Sequence, residues 1–128
     1  MNLLISIFSF IIISATFGNI TDEPIIHIED TIIVFEPVYK GEVLNKQIKV
    51  TNTGTRELRI SNVRGSCGLR VLSFPRQEVK TGDSAYINIR YDTSRVGAFE
   101  RILTIHTNCA KNTVKIKVKG HVMIKKGD

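Results

Sequence analysis

Two thiols and three imidazoles are the side chains of this chain best suited to nucleophilic, redox or metal chemistry: Cys67 and Cys109, with His27, His106 and His121. Cys67 sits where an alternating segment breaks at Gly65-Ser66-Cys67-Gly68, and Cys109 follows His106 closely. Soft-metal (copper-type) binding or thiol redox handling through Cys67, with Cys109 or His106, is the chemistry such groups would support. The spacing does not favour it. No C-x-x-C or H-x-x-x-H pattern is present, and alternation turns His106 outward beside Thr104, as an ordinary surface histidine. Nucleophilic catalysis would need a base fixed beside a thiol, and no Gly-rich phosphate loop or nucleophile elbow accompanies it. No catalytic residue and no cofactor is assigned, and the chain reads as a non-enzyme.

A Cys67–Cys109 disulfide is permitted in an oxidising compartment but is disfavoured on geometry. The two cysteines fall in connections at opposite ends of a sandwich, roughly 20 Å apart, and a disulfide needs Cα atoms within about 7 Å. Only a fold-back of the Cys67 segment along a sheet face would close that gap. An inert thiol is the plainer reading of Cys67.

The most regular charged feature is Lys115, Lys117 and Lys119, which alternation places on one sheet face. Lys49, Arg59, Arg90 and Arg101 are candidates to extend it into an anion-binding face. The competing reading is protective, since lysines on a terminal edge strand discourage edge-to-edge pairing. The net charge is +6, from 18 Lys and Arg against 12 Asp and Glu, all of them after residue 18. An acidic protein or envelope component is the matching partner. No basic-aromatic motif of a nucleic-acid module appears, so nucleic acid is not expected.

These residues are carried by strands. From residue 24 the apolar period is two. Ile25–Ile28 and Ile32–Phe35 open the domain. Leu44, Ile48 and Val50 alternate inward, Asn52-Thr53-Gly54 turns the chain through residues that accept positive φ, and Leu58 and Ile60 resume in what reads as the second arm of a hairpin. Val71 and Leu72 lead to Phe74-Pro75, where proline confines the strand to an edge. Ala85, Ile87, Ile89 and Tyr91 form one inner face; Phe99, Leu103 and Ile105 another; Val114, Ile116 and Val118 a third. Turn residues at this spacing predict an all-β antiparallel sandwich of about seven strands. The predicted organisation is a signal peptide over 1–18, a lead-in over 19–30, the sandwich over 31–123 and a basic tail over 124–128.

Residues 1–18 carry no charged side chain and run apolar from Leu3 to Ile13. That stretch is short for a ~30 Å hydrocarbon core but fits a secretory signal, with cleavage expected after Gly18. A secreted or periplasmic location follows, with a retained N-terminal anchor as the alternative. Asn19-Ile20-Thr21 forms a glycosylation sequon against the cleavage point.

The order Phe35-x-x-Val38-x-x-Gly41-Glu42, Val50-Thr51-Asn52-Thr53-Gly54, Leu58-x-Ile60-x-x-Val63-x-x-Ser66-Cys67-Gly68, Gly82, Tyr91-Asp92-Thr93, Gly97-x-Phe99 and Gly120-x-Val122 resembles the bacterial exported domain-of-unknown-function family DUF1573. That family shares an immunoglobulin-like sandwich with major-sperm-protein-like and cilia-associated domains. The resemblance spans residues 32–122 and implies a secreted or envelope location with a non-enzymatic binding or scaffolding role. The family often reads Ser-Cys-Gly-Cys where this chain has Ser66-Cys67-Gly68-Leu69, so chemistry needing the second thiol does not carry over. The leading expectation is an exported, non-enzymatic binding or scaffolding module, using loops at one end or an exposed edge. Metal or thiol handling through Cys67 is the first alternative. A membrane-tethered basic domain on anionic surfaces is the second.

Overall fold

The computed structural model describes residues 22–126, which form nine strands and no helix. These are β1 (Ile26–Ile28), β2 (Ile32–Val34), β3 (Val38–Tyr39), β4 (Leu44–Asn52), β5 (Ile60–Gly65), β6 (Leu69–Ser73), β7 (Ser84–Tyr91), β8 (Gly97–Thr107) and β9 (Thr113–Met123). One sheet has the order β1-β4-β7-β6; the other has β2-β9-β8-β5, with β3 following β2 along β9. The result is an immunoglobulin-like sandwich. Predicted signal residues 1–18, the cleavage point after Gly18, the sequon and the last two residues lie outside the described residues.

Four expectations are corrected. The strands number nine rather than about seven because the N-terminal edge is broken into three pieces by the Glu29–Thr31 crossing and by Pro37. β2 and β3 pair with β9 in parallel, so the sandwich is not purely antiparallel. The chain runs antiparallel to β4 as β1 and then changes sheet without changing direction, which sets it parallel to β9. The lead-in is also part of the fold, since β1 forms an edge strand on β4. Finally, β4 and β5 are not a hairpin: they lie in different sheets, and residues 53–59 carry the chain across.

Alternation places the core as expected. Val50, Ile87, Ile89, Leu103, Ile105, Ile116 and Val118 are fully enclosed between the sheets. Each such side chain contributes about 1.5–3 kcal/mol over an exposed one. At one end of the core Tyr91 stacks on Phe99, with centroids 3.6 Å apart and planes within 14°. Gly120 lies opposite Phe99 on β9, and a Cβ there would come within 2.5 Å of the ring.

Asn52 closes the other end and is fully buried. Its Oδ1 accepts from the amides of Gly54 (3.0 Å) and Ile25 (3.4 Å), and its Nδ2 donates to the carbonyls of Arg56 (2.6 Å) and Val79 (2.9 Å). One side chain thereby ties β1, the sheet crossing and the β6–β7 connection together. Gly54 does not have positive φ; it is needed because the backbone of Glu23, Pro24 and Ile25 occupies the space of a Cβ.

Candidate functional site at the loop end bearing Cys67

Gly65 and Gly68 bracket the passage from the edge of one sheet to the edge of the other. At Gly65 the carbonyl of Leu69 occupies the position of a side chain, and Gly68 has φ near +85°. Cys67 stands exposed on this passage. Ser66 pins it to β8: its amide donates to the Ile102 carbonyl (3.0 Å), and its Oγ accepts from the Ile102 amide (2.9 Å). Arg101 Nε donates to the Cys67 carbonyl at 2.6 Å, and Arg95 Nη1 lies 3.5 Å from its sulfur. The polar group against this thiol is therefore the Arg95 guanidinium.

Cys109 is elsewhere. Gly65 pairs with Leu103 and Ile60 with Thr107, so β5 runs from the Cys109 end to the Cys67 end alongside β8. From Ile102 to Cys109 the chain covers roughly 20 Å at about 3.3 Å per residue. Both cysteines are free. His106 pairs across from Thr113 and Asn62 near the Cys109 end, remote from Cys67. Among the described residues no three His, Cys, Asp or Glu side chains converge as metal ligands.

Lys115, Lys117 and Lys119 do share the outer face of their sheet, but β9 is an interior strand between β2 and β8. The edge-protecting role expected of them is therefore wrong. Protection comes instead from interruption: β1, β2 and β3 are short, and β5 and β6 each carry a register shift. Nor do the other cations extend the lysine face. Lys49 and Arg90 belong to the other sheet, Arg59 pairs with Glu78 (3.0 Å) at the far end, and Arg101 sits opposite Val118 on the inward side. Glu100 lies across from Lys119 and pairs with Lys117 at 3.1 Å, which holds its carboxyl below the ordinary glutamate range and offsets the lysine charge.

A stronger basic feature lies beside Cys67. Asn45, Arg90 and Arg70 form a row across β4, β7 and β6 on the outer face of their sheet, with the two arginines directly opposite each other. Arg90 Nε donates to Asn45 Oδ1 at 2.8 Å. Arg95, from the β7–β8 loop, joins them around an open cleft of about 480 Å³ whose wall includes Gly68, Leu69 and Asp92. Asp92 Oδ1 accepts from the amide and hydroxyl of Ser94 (3.0 and 2.6 Å), and these bonds hold its carboxyl below the ordinary aspartate range, with Arg95 adding to the effect. Among the described residues no ion pair involves Arg70, Arg90 or Arg95.

The loops around the cleft are cross-tied. The Asp92 amide donates to the Gly68 carbonyl (2.9 Å), and buried Thr93 donates through Oγ1 to the Glu42 carbonyl (2.6 Å). The same end exposes Val43 (70%), Ile124 (63%) and Val96 (46%). Alternation about inward Ile89 and Tyr91 turns Arg90 outward, and 92–97 reads only as a loop. Sequence alone does not bring Arg70 and Arg95 to Arg90, because that depends on the β6–β7 register and the loop path.

A family model described as "Protein of unknown function (DUF1573)" matches residues 26–122. No curated protein matches the sequence. Among solved structures, a protein of unknown function from Porphyromonas gingivalis W83 superposes with TM-score 0.69 at 22% identity, over 83% of this chain and 51% of that one. The chain thus spans about half the length of that relative. The ASH/PapD-like domain 7 of human CEP192 superposes with TM-score 0.67 at 12% identity, over 82% and 89% of the two chains. The Vibrio cholerae VesB protease gives 0.56 at 14%, over 80% of this chain and 32% of that one. At these identities the likeness is one of fold.

Proposed function

The chain belongs to the DUF1573 family of proteins of unknown function, and on that premise we propose that it is an exported, non-enzymatic immunoglobulin-like module that holds a partner at the loop end bearing Cys67. One observation carries the reading: the same end bears exposed Val43, Val96 and Ile124 and three arginines that form no ion pair. Arginine is enriched at interfaces and among their hot spots, and a partner seated there would cover the exposed aliphatic side chains. The alternative of strand addition at an edge is weaker, because each edge is short or bulged. The lysine face is weaker too, although Ile32 and Val34 stand exposed beside Lys117 and Lys119, since Glu100 offsets its charge. The non-enzymatic part is supported by the Cys67 surroundings, where a guanidinium takes the place a base would need. Export rests on the apolar, uncharged residues 1–18.

A photoreactive residue at Val43, compared with one at Ala110 on the opposite end, tests this in living cells. Discrete adducts from Val43 alone are expected. No adduct above background from Val43, or the same adducts from both positions, would reject the loop end as the partner surface.

A further inference from the structure

We propose that the cleft between β6, β7 and the Asp92–Val96 segment is an oxyanion-binding site, taking a carboxylate or phosphate group on Arg70, Arg90 and Arg95. This rests on the binding-module reading and names the chemistry the partner, or a free ligand, must offer.

Like charges directly opposite on adjacent strands are destabilising. Arg70 and Arg90 occupy such a pair, and Arg95 adds a third cation to the same cleft. Three cations elsewhere, Arg56, Arg59 and Lys117, have carboxylates against them, in Asp22, Glu78 and Glu100, whereas none of the three cleft arginines does. The one carboxylate in the cleft wall, Asp92, has its Oδ1 occupied by Ser94. Three cations against this one anion leave the cleft net positive.

The guanidinium groups are also positioned. Asn45 holds Arg90 through Nε, which leaves its Nη groups to face a ligand. Arg95 is held near Cys67 Sγ by a loop that is itself tied to Gly68 and Glu42. Planar forks of this kind match the two oxygens of a carboxylate or phosphate, and an oxyanion between Arg70 and Arg90 would turn their repulsion into attraction. A cleft of about 480 Å³ admits a small anion or an acidic side chain with part of its backbone. Its wall is arginine-rich and more polar than apolar, so charge more than burial would select the ligand.

Calorimetric titration of the purified protein at low ionic strength with inorganic phosphate, citrate and a hexaglutamate peptide tests the site. Binding should weaken about tenfold or more in Arg70→Gln and in Arg95→Gln, the loss expected for a charged hydrogen bond, and stay within about twofold in a Lys115/Lys117/Lys119→Gln triple variant. Saturation by phosphate or citrate but not the peptide would identify a free small anion; saturation by the peptide would identify an acidic segment of a partner. No binding to the wild-type protein, or an equal loss in the lysine variant, would overturn the proposal. Thermal melting of Arg70→Gln separates lost binding from lost folding. Without ligand its midpoint should match or exceed the wild-type value, because a repulsive pair has been removed. A clearly lower midpoint would mean the arginines support the sheet, and would overturn the proposal. Adducts from Val43 without any anion affinity would defeat this inference alone, and anion affinity without adducts would defeat only the partner surface.

Discussion

At the scale of single residues, Asn52 shows how a polar side chain can hold an apolar fold together. It is fully buried, yet both ends of its amide are bonded to backbone from three separate segments. Asn52→Ala should cost about 3 kcal/mol in urea unfolding, since burying unsatisfied backbone groups costs about 1–3 kcal/mol each. Asn52→Asp should be worse at neutral pH, because a carboxylate would face the carbonyls of Arg56 and Val79 in place of a donor. Such a carboxyl has a folded-state pKa raised above its unfolded value. The Asp variant should therefore regain stability relative to wild type as pH falls, and lose it as pH rises through the folded pKa. An Asp variant equal to wild type at neutral pH would refute this account. The Asn-Thr-Gly signal was legible in the sequence, but for the wrong reason. Its glycine answers to the closeness of the N-terminal segment and its asparagine to a buried bonding site, and both appear only once β1 is docked.

Among the elements, β9 departs furthest from the sequence expectation, because the last strand of a chain need not be the last strand of a sheet. β2 and β3 pair along it on one side and β8 on the other. Its alternation of Val114, Ile116, Val118 and Val122 with lysines was readable from the period of two. Its central position was not, since that is decided by where the N-terminal strand crosses between sheets. Gly120 records the crowding of that position, with the Phe99 ring against its α-carbon and the Phe35 Cβ 3.2 Å from where a side chain would begin. Gly120→Ala should destabilise by about 1–3 kcal/mol through overpacking. The check is a denaturant midpoint measured beside that of the wild-type protein. A Gly120→Ala protein as stable as wild type would show that the aromatic cluster can shift.

For the whole molecule, opposite ends have separate characters. The Asn52 end is cross-bonded backbone with the Arg56–Asp22 and Arg59–Glu78 ion pairs; the Cys67 end gathers exposed aliphatic residues and arginines that form no ion pair. Alkylation of the native protein followed by intact mass should show two modified thiols, Cys67 reacting before the half-buried Cys109. A mass two protons light with no alkylation would contradict the separation of the two ends. The same mass reports whether the chain begins at Asn19, as cleavage after Gly18 requires. By itself the sequence determined the all-β class, the inward-facing residues and the family, because alternation and turn chemistry are local and survive without knowledge of neighbours. Tertiary structure alone decided the parallel edge, the interior place of β9 and the meeting of Arg70, Arg90 and Arg95. Those depend on strand order and register, which are set by long-range pairing that no short window of sequence contains.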